Sequence, residues 1–302
     1  MGWYDREMIA TAAHTACVWE VTSRKVGNVH PRAGFHDTTY LDFILSAGAI
    51  NSALGGAPTR GIGRTIRMAS LLTRDVTGSN PNLGIILLLA PLASTWTGLY
   101  VDPEHADRGK GELKRNLRKL SVTDTKFAYE AIWLAKPGGL GDAPEQDVRD
   151  EPTVTLLEAM RLAADRDMVA RQYANGFADV FDFGVPAFVN AFTKFGCVEA
   201  AIIDSQLQWL ATYPDSLIAR KNGPAVAEDV QRRAAEVLKL GGIATPEGRA
   251  AGVALDQHLR SDGNKLNPGT TADLITACLF VALRENKVTP SAPFRWQVSD
   301  WL

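Results

Sequence analysis

Apolar positions along this chain recur with the period of a helix, and no run alternating every second residue extends beyond a few residues. Ile9, Ala12, Ala13, Ala16 and Cys17 mark one face of a first helix over Met8 to Val21, with Glu20 as an acid on or beside that face. A second helix opens at Asp37-Thr38-Thr39-Tyr40, with Asp37 as the expected N-cap, and turns Leu41, Ile44, Leu45, Gly48 and Ala49 to one side. Gly55-Gly56-Ala57-Pro58 breaks it, and a third helix over Thr59 to Val76 follows. The run Ile85 to Ala93 is apolar throughout, which marks the most buried helix. It is far shorter than the roughly 20 residues a bilayer requires.

The same spacing predicts helices over Thr123 to Leu134, Thr153 to Asp179, Phe188 to Leu210, Ala225 to Leu240 and Pro246 to Arg260. A last apolar helix opens after Asn267-Pro268-Gly269 and runs through Phe280. Val101 to Asn116 reads as a surface loop with a short helix, Ser216 to Gly223 as a short turn, and the tail Ala292 to Leu302 as a surface-packed segment. On an unbroken helix Asp165 and Asp167, two apart, do not share a face. The expectation is an all-α fold of about twelve helices. Length alone suggests two domains. No Pro/Gly/Ser-rich linker divides the chain, so residues 1–302 are read as one compact domain.

Composition narrows the function. A net charge of −2 supplies no global field toward nucleic acid or an anionic membrane. No secretory leader or spanning segment is recognisable, so the cytosol is the expected location. Cys17, Cys197 and Cys278 lie far apart without metal-ligand spacing, and are expected as reduced core thiols.

The polar chemistry collects in four Gly/Asn/Pro-rich loops, at residues 24–37, 77–84, 136–147 and 264–273, each abutting a helix start. Free N–H groups and the dipole at a helix start favour an anion. These loops and their neighbours supply Lys25, Arg32, Arg220 and Lys221 as cations. They supply Glu20, Asp147 and Asp273 as acids, and Gly27, Asn28, Asn80, Asn82, Gly84, Gly138, Gly139, Gly141 and Asn267 as backbone or amide partners. If the loops converge, they suit a polyphosphate nucleotide with Mg²⁺, which takes one or two carboxylates plus phosphate oxygens. Neither of the common Gly-rich nucleotide motifs is present. The plainer reading of each feature is a helix cap or a solvated charged loop.

Six motifs in order make a resemblance: Glu20…Lys25-x-Gly27-Asn28-Val29, Phe35-x-Asp37, Thr77-Gly78-x-Asn80-x-Asn82-Leu83-Gly84, Gly138-Gly139-Leu140-Gly141, Arg166-Asp167 and Asn267-Pro268-Gly269-Thr270-x-Ala272-Asp273. Together they resemble the triphosphoribosyl-dephospho-CoA synthase family from about residue 10 to 285. The resemblance implies an all-α enzyme that expels adenine from ATP and joins the triphosphoribosyl group to a hydroxyl of dephospho-CoA. It implies phosphate contacts at Lys25, Asn28, Arg32, Gly84 and Gly138 to Gly141, metal ligands at Asp147 and Asp273, and catalysis at Glu20 and Asp273. Glu20 is its expected general base.

The chain departs from the family pattern at two loops. Val26 stands where proline is common, and Leu83 stands where the decarboxylase-system enzymes tend to place lysine. In this the chain looks more like the branch found in archaea and one-carbon-metabolising bacteria, for which the acceptor would be a tetrahydromethanopterin precursor. The expected partners are therefore ATP and a hydroxyl-bearing small molecule, with self-association left open. A Mg²⁺-dependent nucleotide hydrolase and a non-catalytic nucleotide-binding protein are the alternatives.

Overall fold

The computed structural model describes residues 3–36, 38–79, 81–95, 106–135, 145–263 and 265–302. Helix α1 (Trp3–Thr22) packs on α2 (Tyr40–Ala49) and α3 (Asn51–Gly55). Then come the single turn α4 (Ala57–Arg60), α5 (Ile62–Thr77), α6 (Leu83–Ala93), α7 (Ala106–Arg118) and α8 (Val122–Ala135). After α9 (Leu156–Ala163) and α10 (Met168–Asn175), a π-helical turn (Asp179–Gly184) leads into α11 (Val185–Phe195) and α12 (Val198–Thr212). The chain ends with α13 (Ser216–Asn222), α14 (Pro224–Lys239), α15 (Pro246–Arg260) and α16 (Gly269–Arg284). Among the described residues there is no strand, and no helix is long and apolar enough to cross a membrane.

Two helices organise the core. Every residue of α6 from Ile85 to Ala93 is buried, so it has no polar face to give to solvent. On α16 every residue from Thr270 to Arg284 is buried except Asp273. The two helices pack together, with α1 and the π-helical turn against α16, and form the larger apolar cluster. A second cluster lies among α12, α14 and α15, and includes Val26 and Trp301.

The structure subdivides several expected helices. The stretch Thr153 to Asp179 is not continuous. Asp167 caps α10, accepting from Val169 N (2.8 Å) and Ala170 N (3.1 Å), because a carboxylate at a helix start satisfies free N–H groups. Gly176, at φ 70°, ends the same helix in the left-handed conformation. Gly196, at φ 67°, likewise splits Phe188 to Leu210 into α11 and α12. Ser216 to Asn222 is a helix rather than a turn, capped by Asp215. Helix α2 is capped by Thr39 in a reciprocal box with Asp42. The expected cap Asp37 lies outside the described residues. The tail does not simply lie on the surface, because Trp301 is buried against the loop that follows α1.

Candidate functional site

The starts of α6, α10, α13 and α16 converge on one cavity of about 1100 Å³. Leu83 and Gly84, Met168 and Val169, Ser216 and Leu217, and Thr270 and Asp273 all line it. Side chains lock these starts together. Ser216 Oγ accepts from Met168 N (3.2 Å) and lies 3.1 Å from Thr270 Oγ1. Asp215 caps α13 through Leu217 N and Ile218 N, and also accepts from Thr271 N and Thr271 Oγ1, both at 2.8 Å. One buried carboxylate thus holds two helix starts in register. On α6 the first intrahelical bond is from Ile86 N to the Asn82 carbonyl, and Asn82 makes no side-chain cap. The N–H groups of the turn before Ile86 have no partner within the helix. Asp167 and Asp215 already take N–H groups at the starts of α10, α13 and α16, so the uncapped start of α6 is the one open to an anion. Arg166, Arg171, Arg220 and Lys221 line the same cavity, and Arg220 Nη1 reaches Asp167 Oδ2 at 3.3 Å.

Asp273 is the acid this geometry singles out. It has no hydrogen bond or ion pair among the described residues. It keeps part of its surface open to the cavity while protein encloses its other sides. Burial, then the charges of Glu20, Asp215 and Asp167, raise its proton affinity well above the ordinary carboxylate range, against the opposing pull of Arg220. It rests against Gly84, where any larger residue would collide with its carboxyl. Asn82, 2% exposed, has neither amide atom partnered. Buried polar atoms without partners are rare, and this pair lies just behind the cavity wall formed by Leu83 and Gly84.

The family model for ATP:dephospho-CoA triphosphoribosyl transferase matches residues 6–291. The chain belongs to this family. A candidate 2-(5''-triphosphoribosyl)-3'-dephosphocoenzyme-A synthase of Pseudomonas putida is 35% identical over 244 residues, covering 70% of this chain and 86% of that one. The 2-(5''-triphosphoribosyl)-3'-dephosphocoenzyme-A synthase of Klebsiella pneumoniae is 29% identical over 113 residues, 37% of this chain and 40% of that one. In structure, the chain is similar to a candidate triphosphoribosyl-dephospho-CoA synthase from Archaeoglobus fulgidus, with a TM-score of 0.62 at 25% identity, covering 80% of this chain and 97% of that one. As a triphosphoribosyl transferase family member the chain is an enzyme of the transferase class.

Within this transferase the residues singled out from sequence fall into two groups. Gly84, Asp147, Arg220, Lys221 and Asp273 line the cavity. Glu20, Lys25, Gly27, Asn28, Arg32, Asn82 and Asn267 are not among its lining. Asn80, Gly138, Gly139 and Gly141 lie outside the described residues. Asp147 is turned to Arg149, whose Nε (2.7 Å) and Nη2 (2.8 Å) take both of its oxygens. Asn267 has its side-chain oxygen unpartnered beside the start of α16. Among the described residues no three Asp, Glu, His or Cys side chains form a metal-binding group.

The basic loop after α1 is built into the protein rather than offered to solvent. Lys25 is fully buried, and its ammonium faces the carbonyls of Glu20, Ser23 (3.3 Å) and Val29 (3.4 Å) and the Glu20 carboxylate (3.0 Å). An all-acceptor cage suits the charged amine, since a neutral one would turn its lone pair on an oxygen. Gln206 brackets Val26, accepting from its N (2.9 Å) and donating to its O (2.8 Å). Asp256 accepts from Gly27 N at 2.7 Å, and Gly27 takes φ 67° where a Cβ would strike Leu259. Arg24 is paired with Glu199 at 2.6 Å, and Trp301 Nε1 donates to the Arg24 carbonyl at 2.9 Å. Arg32 is exposed and reaches the Leu302 carbonyl at 3.2 Å. His30 is held neutral, with its pKa pushed down to about 3 by burial and then by Lys25, Arg260, Arg24 and Arg32.

Sequence reasoning passes over Asp215 and Tyr129, and sets Asp167, part of the Arg166-Asp167 motif, inside a helix rather than at its start. Asp215 carries no motif, and only the preceding Pro214 and the following Ser216 hint at a helix start. Asp167 falls mid-helix by periodicity alone. Tyr129 donates to the Gln146 carbonyl at 2.6 Å, and Gln146 sits at φ 53° with its amide on Thr153. That latch turns Glu145 to Val148 into the cavity wall.

Proposed function

We propose that the cavity takes ATP with its triphosphate against the start of α6 and the cations Arg220 and Lys221, and transfers the triphosphoribosyl group to a hydroxyl of dephospho-CoA. Asp273 is the base. Its carboxylate accepts the hydroxyl proton as the acceptor oxygen bonds to the ribose C1'. The C1'–N9 electron pair leaves with adenine, which takes up a proton. One displacement inverts the β-glycosidic centre of ATP and gives an α-glycosidic product. The observation that carries this reading is Asp273 itself: unpaired, open to the cavity, of raised proton affinity, and set against the uncapped start of α6. A positioned base contributes roughly 10²–10⁴-fold, and positioning of two substrates up to roughly 7–11 kcal/mol. Glu20, held by Lys25, acts on that carboxyl through its charge, which raises its proton affinity.

Mg²⁺ fits the site as a companion of the triphosphate. It asks for one or two carboxylates, the rest being phosphate oxygens and water. Asp273 has both oxygens unengaged, whereas Asp147 would have to leave Arg149. Mg²⁺ on Asp273 would neutralise phosphate charge in place of the base role, and the Mg²⁺ dependence of ATP affinity separates the two.

A second acceptor is favoured by one observation. Leu83 faces the cavity with an apolar side chain where a lysine would suit the phosphates of dephospho-CoA. A tetrahydromethanopterin precursor, with a ribitol hydroxyl, is the acceptor that this substitution and the archaeal-branch resemblance support. Chromatographic adenine release tests these readings. Release from ATP that depends on dephospho-CoA is the expected result. Dependence on a pterin–ribitol acceptor instead selects the second. Full release from ATP alone makes the chain a hydrolase, and saturable ATP binding without release under any acceptor makes it a binding protein.

A further inference from the structure

ATP and dephospho-CoA share an adenosine 5'-diphosphate half. Beyond the second phosphate they differ: ATP ends in a third phosphate, while dephospho-CoA continues into a pantetheine arm of methylenes and two amides that ends in a thiol. A site that takes both in opposite roles must tell them apart at that point. A wall for the anionic end suits ATP and an apolar wall suits the arm.

The cavity has both. Leu156, Ala159, Met160 and Ala163 recur at i, i+3, i+4 and i+7 on α9 and line it; Leu156 and Met160 are anchored in the core, so Ala159 and Ala163 give this face most of its open surface. Ile132 of α8 lines the same space, and α8 packs on α9. This face extends about 10 Å along α9. It ends at the corner where Asp167 caps α10, which is where the helix-start wall begins. Leu162 also lines the cavity and is 43% exposed. Its uncovered area is surface available to an apolar ligand.

Resting on the transfer reading above, we propose that the α9 wall holds the pantetheine arm of dephospho-CoA and that Leu162 discriminates acceptor from ATP. The arm lies along Leu156 to Ala163, its diphosphate reaches the Asp167 corner, and Leu162 closes over its methylenes. ATP has no atoms there.

Steady-state adenine release, with ATP and dephospho-CoA varied in turn, tests the assignment in wild type, Leu162→Glu and Leu162→Met. Because Leu162 is a surface leucine, both variants should fold, and thermal unfolding followed by circular dichroism checks this. Leu162→Glu is expected to raise KM for dephospho-CoA about tenfold, the scale expected when one leucine no longer covers the arm. KM for ATP should stay within about twofold, and Leu162→Met should restore the wild-type KM for dephospho-CoA. An unchanged KM for dephospho-CoA, or equal rises in both, overturns the proposal. Wild type that releases no adenine with ATP and dephospho-CoA overturns instead the transfer reading on which it rests.

Discussion

Gly84 and Asp273 are in contact near the starts of α6 and α16: a Cβ built on residue 84 would fall 1.9 Å from Asp273 Oδ2. The absence of a side chain at 84 is what lets the carboxyl lie over the start of α6. Alanine favours helix by about 1 kcal/mol over glycine, so Gly84→Ala should not unfold α6. It should push the Asp273 carboxyl aside. The expected outcome is adenine release reduced by at least about 100-fold, the scale of removing a positioned base, with the melting temperature nearly kept. Turnover close to wild type would remove Asp273 from the chemistry.

Asp273→Asn separates the roles open to that carboxyl. As a base Asp273 must be ionised, and its proton affinity is raised by burial and by Glu20, Asp215 and Asp167. Activity should therefore climb with pH through a limb lying above the usual carboxylate range, and the variant should lose both the activity and the limb. The stability effect has the opposite sign. A carboxyl whose folded pKa exceeds its unfolded value favours folding while protonated, and loses that contribution as pH rises from the unfolded pKa through the folded one. That contribution fades as pH rises above the unfolded value, so the stability gained by Asp273→Asn should grow with pH and vanish in acid. Measured ATP affinity with and without Mg²⁺ completes the test. A base leaves the Mg²⁺ dependence intact, and a ligand takes it away.

The helices are largely legible in the sequence because burial and period coincide there. The run Ile85 to Ala93 has no polar residue, so only a buried helix accommodates it. The breaks are less legible. Asp167 is an acceptable exposed helix residue and also an acceptable cap, and only the approach of Ser216 and Arg220 decides between them. The loop after α1 shows the same limit more sharply. Lys25 and Arg24 suit phosphate by residue type, but Glu20, Glu199 and a ring of carbonyls take their charges. Asp273 is legible as an acid near a helix start, although α16 opens at Gly269 and its first turn carries no acid. That it has no partner depends on Gly84 and α1, which no local pattern around residue 273 encodes.

Lys25→Met tests what the Glu20–Lys25 pair does. Burial raises the pKa of Glu20 and lowers that of Lys25, each partner opposing the other's shift. Removing one partner of a buried pair typically costs about 3–5 kcal/mol. Chemical denaturation should show a loss on that scale at neutral pH. The loss should shrink in acid, where Glu20 takes up a proton and needs no counter-charge. Adding Glu20→Leu should recover much of the stability, since two apolar side chains leave no buried charge. A Lys25 that instead contacted phosphate would show weaker ATP binding with an unfolding midpoint near wild type.

Arg220→Ala tests the anion wall. Arg220 lines the cavity from α13 and reaches Asp167, which already has its cap bonds to Val169 and Ala170. Losing the guanidinium should therefore leave α10 capped and the fold stable. A hydrogen bond to a charged group is worth about 1.5–3 kcal/mol, so the ATP dissociation constant should rise about ten- to a hundredfold. The same loss removes the cation that opposes the raised proton affinity of Asp273. The activity limb assigned to that carboxyl should consequently move to higher pH. Arg220→Lys should restore the position of the limb by charge, but only part of the affinity, because an ammonium lacks the two-pronged fit to phosphate oxygens. Calorimetric ATP titration and a pH–rate profile on the same variants measure both effects. Unchanged ATP affinity in Arg220→Ala would place the triphosphate elsewhere in the cavity.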